Sequence, residues 1–397
     1  MSRLEPTNEA SAMQKEISTI AEQGGGTTKV EQLIQQYCPD GVEYVKIGQI
    51  AQVGTGSSNG NEADDEGMYP FFVRSQTVKR KNDYEYDEEA VIIPGEGGIG
   101  DIFHYINGKY ALHQRVYRIH FTIPSINTKF AFYYLKSAFK QFILMKAVSA
   151  TVASIRKPMI EGFPIPIPPL HVQEEIVRIL DTLTELQAEL QAELQKRLQQ
   201  YNYYRDNLLS FEGRTDIEWK KLGEICNLSR GKVYSKSYIE KNAGAYPVYS
   251  SQTANNGELG RISTYDYDGE YLTWTTDGAY AGTIFYRKGK FSITNVCGLI
   301  SPKEDNLNIK FLFYWLSITA PDYVYRGMGN PKLMSNQMEP IKVPIPPLAE
   351  QQRIVSILDR FNTLTTDITA GLPAEIEARR KQYEYYRNQL LTFKQKA

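Results

Sequence analysis

Apolar and polar positions along this chain follow two rhythms, and each rhythm occurs twice. Ile176, Leu180, Leu183, Leu186, Leu190, Leu194, Leu198, Tyr201, Tyr204 and Leu208 are separated by steps of three and four. That spacing draws one apolar seam along a helix of about 40 residues, roughly 60 Å long at about 1.5 Å per residue. So narrow a seam on so long a helix needs a partner helix. A second series, Ile354, Leu358, Phe361, Leu364, Ile368, Ile376, Tyr383, Tyr386 and Leu390, supplies one. Gly371 and Pro373 are expected to kink or interrupt it. The spacing predicts an antiparallel pair of helices acting as a spacer; a coiled-coil dimerisation stalk is the alternative reading of the helices alone.

Ahead of each seam the rhythm shortens. In residues 42–165 short β-like runs (AVIIP, DIFHYI, YALHQRVYRIHF) alternate with glycine-rich turns, and a helical stretch follows at 128–147. Residues 217–343 repeat the order, with the helical stretch at 310–318. WKKLGEI (219–225) answers YVKIGQI (44–50), and residues 282–285 answer residues 100–103. The joins repeat in residues as well as layout. IPIPPLHVQEEIVRILD (165–181) returns 178 positions later as VPIPPLAEQQRIVSILD (343–359), and YNYYRDNLLSF (201–211) returns 182 positions later as YEYYRNQLLTF (383–393). Proline fixes φ and donates no ladder hydrogen bond, so Pro-x-Pro-Pro-Leu reads as a rigid extended lead-in to a first helical turn. Solenoid repeats have periods of about 20–50 residues. This period describes a duplicated, mixed α/β (α+β) protein: two globular halves related by pseudo-two-fold symmetry, each followed by a similar helix.

With 397 residues and 42% apolar content the chain has room for two or three domains. No apolar run reaches the roughly 18 residues of a membrane span, and the N-terminus lacks the layout of a signal peptide. Residues 1–29 are polar, with Gly24, Gly25 and Gly26 near their end, and read as a flexible extension. A short helix follows over 30–41, ended by Pro39 and Gly41. Cys38, Cys226 and Cys297 are far apart and odd in number, which speaks against a disulfide framework and for a reducing cytoplasm. The net charge of −1 excludes a protein that grips nucleic acid by bulk positive charge.

No catalytic constellation stands out. Gly95-Glu96-Gly97-Gly98-Ile99-Gly100 fits G-x-G-x-x-G, but Pro94 precedes it and a strand-like run follows, so it reads as a turn between strands. There is no phosphate-loop motif and no Cys/His metal spacing. His113 has no Ser or Cys partner in a catalytic arrangement and is expected to pack or bond locally. Several loops instead carry donors suited to DNA, since Arg and Gln can bond base edges while Lys and Ser suit phosphates. In the first half these are Arg74, Ser75, Gln76, Lys79 and Arg80, then Ser154, Arg156 and Lys157 in the polar segment 149–157. The second half offers Arg230 and Lys232, then Ser251, Gln252 and Asn255, then Arg326, Asn330 and Lys332. Ser-Gln-Thr recurs at 75–77 and 251–253. Each loop alone reads equally well as a solvated turn; their repetition in both halves favours function.

The two Pro-x-Pro-Pro-Leu…Gln…Ile-Val-x-Ile-Leu-Asp blocks, each closing a variable globular half, resemble those of the specificity subunit of type I restriction–modification systems. The resemblance runs from about residue 30 to the end. LTELQAELQAEL (183–194) is similar to the four-residue repeat in the central helix of the IC subclass. The resemblance implies a fold of two target recognition domains (42–169 and 212–347), held apart by an antiparallel coiled-coil spacer from helical regions 170–211 and 348–397. It implies that each domain reads one half of a bipartite, asymmetric site in double-stranded DNA. Two methyltransferase subunits carrying S-adenosylmethionine would dock on the helical regions, and restriction subunits using ATP and Mg would join them. The chain itself would be non-catalytic, with no cofactor of its own. One departure is His171-Val172-Gln173, where the second block has Glu350-Gln351. A protein-binding scaffold and a metal-dependent nuclease are the competing readings.

Overall fold

The protein, seen in a computed structural model, is described over residues 29–146, 154–327, 329–366 and 371–396. The flexible extension expected up to residue 29 therefore lies, Lys29 apart, outside the described residues, as do residues 149–153 of the polar segment. The chain forms two compact units. One runs to Gln191 and takes in the chain again from Ile376; the other spans Ala192–Glu375.

In the first unit α1 (Lys29–Tyr37) leads to β1 (Tyr44–Lys46), which pairs antiparallel with β8 (Pro164–Pro166). The proline lead-in is thus half of a two-stranded ribbon, a place where missing N–H groups are tolerated. Between them lie β2 (Ala51–Thr55), β3 (Tyr69–Phe72), β4 (Lys79–Lys81), β5 (Tyr86–Pro94), β6 (His104–Leu112), β7 (Val116–Phe121) and α2 (Thr128–Lys146). The six strands from β2 to β7 form one sheet in the order β2-β7-β5-β6-β3-β4. Only the β3–β6 pairing is parallel. Residues 90–93 of β5 are all fully buried. Alternate side chains of a strand point to opposite faces, and here Val91 and Ile93 join the core under α2 while Ala90 and Ile92 pack with Phe72, Tyr110 and Leu112.

The second unit repeats this plan with β9 (Glu218–Lys221), β10 (Cys226–Arg230), β11 (Ala243–Tyr249), β12 (Glu258–Ile262), β13 (Tyr267–Thr275), β14 (Ile284–Ile293), β15 (Cys297–Pro302), α4 (Ile309–Thr319) and β16 (Lys342–Ile345). Its sheet order, β10-β15-β13-β14-β11-β12, is the first unit's order strand for strand, and β16 pairs with β9 as β8 does with β1. The ladders also correct one sequence match. Ile92 faces His104 and Thr273 faces Phe285, so Phe103 corresponds to Ile284 and the expected alignment slips by one residue.

The predicted seams are helices, Ile368 lying outside the described residues: α3 spans Leu170–Leu208, α5 Leu348–Thr366 and α6 Leu372–Leu390. The interruption expected at Gly371 and Pro373 falls between α5 and α6, where Pro373 occupies the tolerated first turn. Each unit contains a piece of both repeats. In the first, Val172, Ile176 and Leu180 of α3 share a core with Leu390 of α6, and Phe393 meets Phe130 edge-on at 6.1 Å. In the second, Leu209 joins Ile354 and Leu358 of α5, Tyr204 stacks on Phe361 at 5.3 Å, and Phe211 meets Phe311 at 6.1 Å.

The repeated aspartates act alike in both units. Asp181 accepts from Tyr133 (2.6 Å) and Lys129 (2.7 Å), and Asp359 from Tyr314 (2.7 Å) and Lys310 (2.6 Å). Burial, reinforced by the adjacent carboxylates, pushes both tyrosine hydroxyls far above their ordinary pKa, so they stay protonated donors.

Candidate nucleic-acid interface

Backbone hydrogen bonds gather the donor-bearing loops at corresponding places in the two sheets. In the first unit Gly95, just past β5, donates to Arg115 (2.9 Å) and accepts from Ile155 (2.8 Å). The β5–β6 turn, the β6–β7 turn and the segment from Ser154 are thereby joined. Glu96 then bridges Arg74 and Arg115, at 3.0 Å from each. The two guanidiniums, Arg115 first, hold its carboxyl below the usual range. In the second unit Thr276 takes the place of Gly95: its carbonyl accepts from Leu333 (2.9 Å), and its hydroxyl accepts from Arg230 (2.7 Å) and donates to Val296 (2.8 Å).

The sixteen candidates fall into three groups. Gln76, Lys79, Arg156, Asn255, Arg326 and Asn330 are exposed, and among the described residues their side chains make no hydrogen bond or ion pair. Arg74, Lys157, Arg230 and Lys232 are exposed but engaged: Arg74 with Glu96, Lys157 with Glu161 at 3.6 Å, Arg230 with Thr276, and Lys232 with Asp266 at 2.6 Å. The rest brace the loops. Arg80 donates to the carbonyls of Gly67 (2.5 Å) and Met68 (2.9 Å), and Ser75 to that of Thr77 (2.8 Å). Ser251 donates to Val296 O and Gln252 to Glu258 O. Lys332 exchanges backbone hydrogen bonds with Tyr325 (2.8 and 3.0 Å), and Ser154 is half-buried.

Glu96, Arg115 and Thr276 were not legible as site residues. Arg115 lies in a run without Gly or Pro that reads as one strand, yet the chain turns at 113–115. His113 is buried and accepts from the backbone N–H of Arg115 at 3.0 Å, the local bonding expected of it. Residues 95–100 form the expected turn, with Gly97, Gly98 and Gly100 all at positive φ. Among the described residues no group of His, Cys, Asp and Glu is placed to hold a metal ion, and no helix is long and apolar enough to cross a membrane.

A duplicated donor-bearing end on a duplicated sheet, carried by long helices, is the architecture of a DNA-reading specificity subunit. The family model for the type I restriction modification DNA specificity domain matches twice, over residues 39–200 and 215–378. The chain belongs to this family: it is the DNA sequence-recognition subunit of a type I restriction–modification complex, and it is non-catalytic. A putative type I specificity subunit of Mycoplasma pneumoniae is 44% identical over 240 residues, covering 59% of this chain and 97% of that protein. A type I restriction enzyme specificity subunit of Escherichia coli is 35% identical over 255 residues, covering 58% and 63%. The fold is also that of the S subunit from M. genitalium, with a TM-score of 0.62 at 18% identity over 88% of this chain and 95% of that one.

Proposed function

We propose that each unit reads one half of a split, asymmetric target in double-stranded DNA through the sheet end described above, and that α3 sets the gap between the half-sites. The observation that carries this is a contrast between the units. The joints to the helices keep the same residues (Asp181 and Asp359, Tyr133 and Tyr314), while the loop ends differ, with Glu96 and Arg115 against Asp277 and Val296. Two halves with one shared scaffold and two different donor sets suit two different half-sites. The exposed candidates, with Arg74 and Arg230, are the groups we assign to DNA; Arg80, Ser75, Ser251 and Gln252 shape the loops that present them.

The helical regions dock two methyltransferase subunits, which bring S-adenosylmethionine; restriction subunits bring ATP and Mg. The complex works in the cytoplasm, and the Gln-Ala-Glu-Leu repeat supports the IC subclass. The test is to co-express the chain with its methyltransferase in a host lacking that modification and map methylated adenines by single-molecule sequencing. A split motif around a fixed gap is expected. No new methylation from an assembled complex would overturn the reading and favour a protein-binding scaffold.

A further inference from the structure

Arg287, on β14, is almost fully buried at 2% exposure, and among the described residues neither of its terminal guanidinium nitrogens has a hydrogen-bond partner within bonding geometry. Its guanidinium lies between two rings, 3.6 Å from the centroid of Tyr249 and 4.4 Å from that of Phe285. Its Nε donates a hydrogen bond to Thr273 at 3.1 Å. The nearby carboxylate of Glu258 is held by Arg261 in a two-pronged pair (2.8 and 3.0 Å). Buried charges are ordinarily paired; this one is stacked on rings and, among the described residues, forms no ion pair. Burial pulls its pKa down to about 10, which still leaves it charged at neutral pH.

A loop, residues 250–257, lies over its Nη2 end. A Cβ built on Gly257 would stand 2.9 Å from Nη2 of Arg287, so the backbone there lies directly on the guanidinium. The loop holds Asn255 at φ 49° and Asn256 at φ 53°, two consecutive non-glycine residues in left-handed conformations. Within the loop, Ser250 N–H donates to Gly257 O (2.9 Å), Glu258 N–H to Asn255 O and Gln252 to Glu258 O, while its bonds to the rest of the unit fall at its start: Ser251 to Val296 O, Thr276 N–H to the Ser251 hydroxyl (3.1 Å) and the Thr294 hydroxyl to that of Ser250 (3.0 Å).

The other unit shows what this arrangement replaces. The corresponding first-unit loop (73–78) carries Arg74 on its surface, whereas SSQTANNG (250–257) contains no basic residue. At the sheet position of Arg287, facing Tyr271, the first unit has Ile106, facing Ala90. The second unit thus has no cation on this loop and one beneath it.

We propose that Arg287 is a DNA-contacting residue of the second unit, covered by residues 250–257 in the free protein and presented to an acceptor edge of the target when that loop lifts. The inference rests on the DNA-reading role proposed above. Tyr249 and Phe285 hold the guanidinium plane ready, so that its two free nitrogens meet a base edge or phosphate in the forked geometry that suits arginine.

The test compares wild type with R287M and R287K, each co-expressed with the methyltransferase. A split motif from the wild type establishes the underlying reading; its absence would be a failure of that reading. Given the motif, R287M removes an unpaired buried charge and is expected to melt about 2–4 °C higher while methylation falls at least about 10-fold. If Arg287 reads a base, only the second unit's half-site becomes degenerate; if it holds a phosphate, methylation falls evenly across sequences. R287K keeps the charge without the fork and should fall between. An R287M complex with an unchanged motif and unchanged efficiency would overturn the proposal, whichever way its melting temperature moved.

Discussion

The side-chain oxygen of Gln173 accepts a 2.8 Å hydrogen bond from the backbone N–H of Asn127, 46 residues earlier. Its amide nitrogen donates to the carbonyls of Ser125 (2.8 Å) and Pro168 (2.6 Å). Gln351 bonds Asn308 (2.8 Å), Asn306 (3.1 Å) and Pro346 (2.9 Å) in the same way. Both glutamines are wholly buried. Asn127 and Asn308 in turn cap α2 and α4 through their side-chain oxygens. Each glutamine therefore ties a proline lead-in, the segment before a helix and that helix's cap into one joint.

Replacing either glutamine by leucine keeps most of the volume and removes the partner of one N–H and two carbonyls, of which the proline carbonyl (Pro168 or Pro346) is buried, the asparagine N–H is half-buried and the third group sits on an exposed residue. Where buried, such groups lose about 1–3 kcal/mol each when relaxation is limited. Q173L or Q351L should lower stability by about 2–4 kcal/mol. Urea unfolding of the full chain measures this; a loss below about 0.5 kcal/mol would mean that the joint is held by its apolar neighbours alone.

Asp266, in a loop of the second unit, has 17% of its side chain exposed against 72% for its partner Lys232. Burial raises its pKa, but hydrogen bonds from Lys232 (2.6 Å) and Tyr234 (2.5 Å) outweigh that and leave it below the usual carboxylate range. A carboxyl lowered by folding contributes stability that is fully present above its unfolded pKa of about 4 and is lost as pH falls through the lower folded value. D266N should therefore destabilise the chain at pH 7, by no more than about 1 kcal/mol because Lys232 is well solvated. Denaturant unfolding at pH 7 and pH 3 should show the difference between the two proteins shrinking at the acid end; an equal difference at both would assign the effect to packing.

Gln76 and Gln252 occupy matching Ser-Gln-Thr triplets but not matching environments. Gln76 is exposed and makes no bond among the described residues, whereas the amide of Gln252 closes its own loop onto Glu258. Q76A should leave stability within about 0.5 kcal/mol of wild type and relax one half-site of the methylated motif. Q252A should cost about 1 kcal/mol in stability, with its effect on the other half-site following from the altered loop. Thermal melting alongside methylation mapping separates the two; a Q76A chain that reads its half-site unchanged would remove that residue from the interface.

What was legible in the sequence was what the fold needs twice. Pro168, Gln173, Leu180 and Asp181 recur because each half must be joined to a helix by the same bonds, and helical seams are written in steps of three and four. The partners of those residues were not legible. Asn127 lies 46 positions from Gln173, and nothing in the run before α2 marks it as the residue that closes the joint. Nor does residue type say whether a loop donor faces outward. Arg80 and Gln76 look equally available in the sequence, yet Arg80 is committed to two carbonyls of the turn beside it. Arg287 lies in a strand-like stretch that carried no motif.

The four-residue repeat offers a geometric test of the whole reading. Gln-Ala-Glu-Leu occurs at 187–190 and 191–194, within α3 and far from both of its ends at Leu170 and Leu208. One more copy would lengthen the helix by about 6 Å and turn it by about 400°, some 40° past a full turn, so the seam stays nearly in register. DNA rises about 3.4 Å and turns about 35° per base pair. The added rise corresponds to nearly two base pairs and the added rotation to one. A complex built on the inserted chain should therefore methylate the same two half-sites with the gap widened by one or two base pairs. Both half-sites are expected unchanged because their loops lie outside the helix. A changed half-site sequence, or an unchanged gap in an active complex, would show that α3 does not measure the spacing.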